Sequence, residues 1–154
     1  MIEAIVVAIL VLATAATGAV FKPGSWYETL RKPGWTPPNW MFPVVWTVLY
    51  VMIGVAGWIV WTDAPWSAAA MVWLMQLALN AAWSWLFFGL RRIEAALLDV
   101  SLLVLAVVSF IIVAQPISTI AAVLFVPYLA WVVTAGALNL RIVQLNPFEA
   151  RRTS

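Results

Sequence analysis

Trp46 and Tyr50 stand four positions apart, so on a helix they share one face. Asn80, Trp83, Ser84 and Phe87 form a second stripe at helical spacing, and Tyr128, Trp131 and Ala135 a third. Indole and phenol rings present flat apolar faces with one polar atom at the edge, and an asparagine adds a donor and an acceptor. Rings and a few polar groups converging from three helices suit a flat, largely apolar ligand held by stacking. Other chemistry is excluded by composition. The chain has no cysteine and no histidine, which removes thiolate nucleophiles, Cys or His metal sites and Ser-His or Cys-His catalysis. The commonest axial ligand to haem iron is also missing. No metal site is expected, and a tetrapyrrole would rest on stacking and shape, or on a weaker Tyr or Met contact. No general acid/base pair is visible.

The elements that position these stripes follow from hydropathy. The 154 residues are 66% hydrophobic and 9% charged, with mean hydropathy +1.03. That leaves too little polar surface to cover a water-soluble globule, so the solvent is lipid. About 20 apolar residues cross a bilayer. The chain reads as a single all-α domain over 1–154, an integral membrane bundle of five transmembrane helices spanning about 4–21, 42–61, 66–89, 93–113 and 118–143. The first span lacks a basic flank before it and reads as a retained helix, not a signal sequence. Its small residues Ala15, Gly18 and Ala19 permit close packing. Residues 22–41 form a Trp/Pro-rich loop, where Pro23, Pro33, Pro37 and Pro38 oppose a long helix. A short helical turn near Ser25–Leu30 is expected, with Ser25 as its cap. Pro127 predicts a kink in the fifth span. Five spans put Lys22, Arg31, Lys32, Arg91, Arg92, Arg141, Arg151 and Arg152 on one side. The positive-inside rule then places the first loop and the C-terminus in the cytoplasm and the N-terminus outside. A net charge of +2 gives no reason to expect a nucleic-acid partner.

At about 1.5 Å of rise per residue, Trp46, Tyr50, Asn80, Trp131, Thr134 and Ala135 fall in the cytoplasmic half of the bilayer, beneath the loop. Each has a plainer explanation. Membrane proteins place Trp and Tyr in interfacial belts, and belt or core packing accounts for Trp58, Trp61, Trp66, Trp73 and Trp85. Asn80 would serve equally in an interhelical hydrogen bond, with Gln76 as one partner. Asp99 is an intramembrane carboxylate, about two turns beyond Arg92 and within reach of a cytoplasmic arginine. Lys22, Arg31 and Lys32 either steer an anionic ligand or only set topology. Ala78 and Ala82 make a small-xxx-small pair, a feature of close-packing or dimer faces.

The stretches WYETLRKPGWTPPNWMFPVVWTVLY at 26–50, QLALNAAWSWLFFG at 76–89, and PYLAW at 127–131 followed by Ala135, Leu138 and Asn139 resemble the tryptophan-rich sensory protein/translocator protein (TspO/MBR) family. The resemblance covers nearly the whole chain. It implies a five-helix membrane bundle, usually dimeric, that binds porphyrins, haem and drug-like hydrophobic molecules under the first loop. It implies a lining of Trp46, Tyr50, Asn80, Trp131 and Ala135, with Trp26, Trp35, Trp40, Phe42 and Pro43 at the lid or rim. Trp83, Phe87, Thr134 and Leu138 complete the expected set from the stripes. Trp46 and Trp131 also match tryptophans implicated in light-dependent porphyrin degradation in some members. The sterol motif of animal members is absent: that region reads Leu138-Asn139-Leu140-Arg141, with no tyrosine.

The expected function is a membrane receptor or sensor for porphyrin or haem-type tetrapyrroles and similar hydrophobic small molecules. No cofactor is obligatory, porphyrin or haem being a ligand. Membrane lipid and a second copy, as a homodimer, are the other expected partners. The alternatives are a light-dependent porphyrin-degrading enzyme using Trp46 and Trp131, and a tetrapyrrole transporter.

Overall fold

In the computed structural model, which describes residues 1–152, the chain is helical and, among the described residues, without strands. Five helices are long and apolar enough to cross a membrane, as an integral membrane protein requires. They are α1 (Ile2–Val20), α3 (Met41–Asp63), α4 (Ala68–Ser84, prolonged by a π turn at Trp85–Gly89), α5 (Ile93–Ala114) and α6 (Thr119–Leu145). Two short helices, α2 (Ser25–Thr29) and α7 (Pro147–Arg152), lie at the end of the bundle where the first loop sits. Helix α5 packs on α4 and α6, α3 packs on α6 and α1, and α1 also touches α4.

The boundaries follow local chemistry. Pro43 stands in the first turn of α3, where its missing N–H is not needed. The third span starts at Ala68, not at Trp66, because the Ser67 hydroxyl accepts the Ala70 N–H at 3.2 Å and caps the helix. Trp66 belongs to the turn, at φ 61° and 78% exposed. Ser118 caps α6 in the same way, accepting the Ala121 N–H at 3.3 Å. Helix α2 differs from expectation: Gly24 is its N-cap and Ser25 its first helical residue, with no side-chain cap. Pro127 lies within α6, on its exposed side, and the helix continues through it to Leu145. Beyond Asn146 the short helix α7 forms, with Pro147 in its first position.

The π turn at the end of α4 reflects a tight reversal. The Leu90 N–H donates to the Trp85 carbonyl at 2.8 Å and the Arg92 N–H to the Leu86 carbonyl at 2.9 Å. Arg91 takes the left-handed conformation, φ 58°, to start α5 at once. Phe87, within this turn, is buried.

Two apolar layers result. The larger joins all five long helices around Ile53, Trp73, Leu77, Leu103, Phe110, Phe125 and Tyr128. The smaller, under the loop, gathers Tyr27, Leu30, Phe87, Ile93, Leu138 and Ile142. Lipid tails are as apolar as these side chains, so the helices are held by close packing and interhelical hydrogen bonds, with no hydrophobic drive between them. Gly57 illustrates the first. A Cβ there would overlap the indole of Trp73, which is fully buried and donates to the Ile53 carbonyl at 3.0 Å. We expect Gly57→Ala to lower stability by about 1–3 kcal/mol through overpacking. Gly34→Ala, where a Cβ meets nothing, should change it by under about 0.5 kcal/mol. Thermal unfolding of the two variants in the same detergent checks the difference.

Candidate functional site

A polar thread crosses the middle of the bundle. The Tyr50 hydroxyl on α3 donates to Asn80 Oδ1 on α4 at 2.9 Å. Asn80 Nδ2 donates to the Tyr128 hydroxyl on α6 at 2.9 Å, and that hydroxyl donates to Gln76 Oε1 at 3.0 Å. The expected Asn80–Gln76 contact is thus made through Tyr128. Aromatic rings surround the thread. Trp46 stacks on Tyr50, with centroids 5.3 Å apart and planes at 28°, and meets the edge of Tyr128 at 6.2 Å.

A second tier lies nearer the loop. Trp83 stacks on Phe87 at 5.2 Å, and its Nε1 donates to Asn139 Oδ1 at 3.2 Å. Asn139 Nδ2 donates in turn to the Ile93 carbonyl at 2.9 Å. Trp26, from α2, meets the edge of Phe87 at 6.1 Å, donates to Glu149 Oε2 at 3.3 Å, and lies under the Arg91 guanidinium. Phe42 reaches from this tier to the edge of Trp131 at 5.8 Å.

The anticipated lining therefore separates into groups. Trp46, Tyr50 and Asn80 meet on the thread. Trp26, Phe42, Trp83, Phe87 and Leu138 belong to the tier under the loop. Trp131 and Thr134 line a groove on the outside of the bundle, between α3 and α6, of about 450 Å³; Val44, Val45, Val48, Leu49, Met52, Pro127 and Ala130 complete it. Ala135 is half-buried beside it in sequence. Trp35 and Trp40 are 50% and 67% exposed, and Pro43 is exposed too. Tyr128, Gln76 and Asn139 join the polar contacts although the sequence pointed less directly at them. Their signal was polar atoms on otherwise apolar helices.

The loop is fastened to the bundle by polar contacts. Asn146 Oδ1 accepts the Arg31 N–H at 2.9 Å, while its Nδ2 donates to the Arg31 carbonyl at 2.9 Å. Lys32 is not a free cation. Its ammonium donates to the carbonyls of Tyr27 at 2.6 Å and Leu30 at 3.2 Å, at the end of α2, and sits over the Tyr27 ring. Burial pushes the Tyr27 hydroxyl above the ordinary phenol value, so it stays neutral beneath that charge.

Asp99 departs from expectation. It is 7% exposed, with no arginine against it, and its Oδ2 has no hydrogen-bond partner; Gln76 Nε2 is likewise buried without one. An orphaned buried polar group costs stability, whereas a paired one contributes little net. Asn80→Ala strips Tyr50 of its partner and leaves Tyr128 only its bond to Gln76, and we expect a loss of about 1–3 kcal/mol. Asp99→Asn removes no bond and should leave the unfolding midpoint unchanged or raise it. Thermal unfolding of both purified variants checks this ordering.

The chain is similar to several characterised proteins. It is 41% identical over 138 residues to "Protein CrtK" of Rhodobacter capsulatus, covering 87% of this chain and 86% of that protein. It is 42% identical over 145 residues to "Tryptophan-rich protein TspO" of Chlorobaculum tepidum, covering 90% and 92%. The bovine "Translocator protein" is 38% identical over 133 residues, covering 83% of this chain and 78% of that one. The family model described as TspO/MBR matches residues 4–145. On that match, and on the five-helix membrane architecture, this chain belongs to the TspO/MBR family.

Proposed function

We propose that this protein is a membrane receptor or sensor for a flat, largely apolar ligand of the porphyrin or haem type, bound against the Trp46 face. The observation that carries this reading is the Trp46–Tyr50 stack at one end of the Tyr50–Asn80–Tyr128–Gln76 thread. An indole already engaged face to face with one ring is oriented to take another flat system in its place. The Tyr50 hydroxyl and the Asn80 amide then offer polar partners for the ligand's edge.

The first loop lies over this end of the bundle, and ligand binding orders it further. The basic residues at that end put the loop and the C-terminus in the cytoplasm and the N-terminus outside. A homodimer completes the assembly. Ala78, of the Ala78/Ala82 pair expected on a close-packing or dimer face, is exposed on α4. The porphyrin-degrading and transport alternatives have no comparable observation behind them.

Titration with protoporphyrin in the dark, followed by tryptophan fluorescence, tests the site. The wild type should show saturable quenching. The double variant Trp46→Leu/Trp131→Leu loses the stacking ring at Trp46 and the indole of the adjoining groove, and should bind more weakly by about 1–1.5 kcal/mol, on the order of ten-fold in Kd. Quenching that never saturates, or that is the same in the double variant, means porphyrin only partitions into the lipid. A new absorbing product that forms under light with the wild type alone would move the reading to an enzyme.

A further inference from the structure

We propose that the groove between α3 and α6 is a lateral doorway, through which a molecule dissolved in the bilayer reaches the Trp46–Tyr50 face. This rests on the ligand site proposed above. Trp131 forms a wall of the groove and lies one helical turn from Tyr128, whose ring edge meets Trp46 at 6.2 Å. The groove and the candidate site thus share one layer of side chains. The mouth of the groove is apolar and exposed at Val44 and Val48, and Leu49 at its floor is buried. Its one hydroxyl, on Thr134, is spent on the Ala130 carbonyl at 2.8 Å. Such a surface selects a lipid-dissolved, apolar visitor over a water-borne one. Its volume of about 450 Å³ lies within the range of small-molecule sites.

The helix contacts favour this side. Among the described residues no hydrogen bond runs directly from α3 to α6; they are joined through Asn80 of α4. The direct contacts across the groove are dispersive, and Trp131 can turn away from Phe42, an edge contact at 5.8 Å, without breaking the Asn80 bridge. The loop end is fastened instead by the Asn146 clamp on Arg31, the Lys32 contacts and the Trp26–Glu149 bond. Opening there breaks several hydrogen bonds at once.

The test is the exchange of protoporphyrin between protein and lipid vesicles, in the dark, by stopped-flow tryptophan quenching. Ala130→Phe fills the groove from its exposed side. Val48→Cys/Ala130→Cys, in a chain with no other cysteine, allows α3 to be joined to α6 by oxidation and released by reduction. Filling or joining should slow association and dissociation together, by about ten-fold or more, with Kd unchanged. Reduction should restore the rates, and Asn146→Ala should leave them as they are. Unaltered exchange in Ala130→Phe and in the oxidised double variant overturns the doorway and leaves the groove to a lipid acyl chain. Faster exchange in Asn146→Ala alone overturns it in favour of the loop. If the reduced protein shows no saturable quenching at all, the ligand site itself fails and the doorway with it.

Discussion

Hydrocarbon offers no hydrogen bonds, so every polar group inside this bundle must find its partner within the protein. That constraint decides how the helices are joined. Trp73 ties α4 to the Ile53 carbonyl of α3, and the Tyr50–Asn80–Tyr128–Gln76 thread adds α6. Asn139 receives Trp83 from α4 and donates to the Ile93 carbonyl, which adds α5. Helix α1 stands apart. Thr14 and Thr17 bond back to their own helix, and α1 meets the rest through Val7 and Val11, with Gly18 facing Ser84 and Gly54 facing Val11. Among the described residues, it is held to the other helices by packing alone.

The same constraint explains the aromatic character of the middle of the bundle. Rings fill space at high density and still carry one polar atom, so they pack and pair at once. Trp46, Tyr50 and Tyr128 do both in a few ångströms. For the ligand proposed above, such a site offers one ring contact in exchange for another. Among the described residues, Trp61 Nε1, Gln76 Nε2 and Asp99 Oδ2 are the exceptions, buried and unpaired.

At the loop end the balance changes, because backbone outside regular helix must be satisfied by side chains. Asn146 pairs with both the N–H and the carbonyl of Arg31, as a neighbouring strand would, and Lys32 covers the last carbonyls of α2. A loop of prolines supplies few N–H groups of its own, and these side chains supply the missing order. The loop is therefore a docked part of the fold, with Trp26 against Phe87 as its anchor and Trp35 and Trp40 left at the surface.

The sequence by itself determined the helices. Hydropathy and length mark five spans within a few residues, because crossing a bilayer needs a long apolar run whatever its neighbours are. The Trp/Pro stretch and the later motifs marked the family, because their spacing is local and written directly in the chain. Helical spacing also showed that Trp46 shares a face with Tyr50 and that Asn80 lies at a comparable depth. Only the tertiary structure decided which faces meet. It put Trp131 in an outer groove, moved Trp83 and Phe87 to a separate tier, made Tyr128 the bridge between Asn80 and Gln76, and left Asp99 without an arginine. The reason is physical. Helix rotation and crossing are set by contacts between residues tens of positions apart, and in lipid no hydrophobic asymmetry marks the inner face in advance.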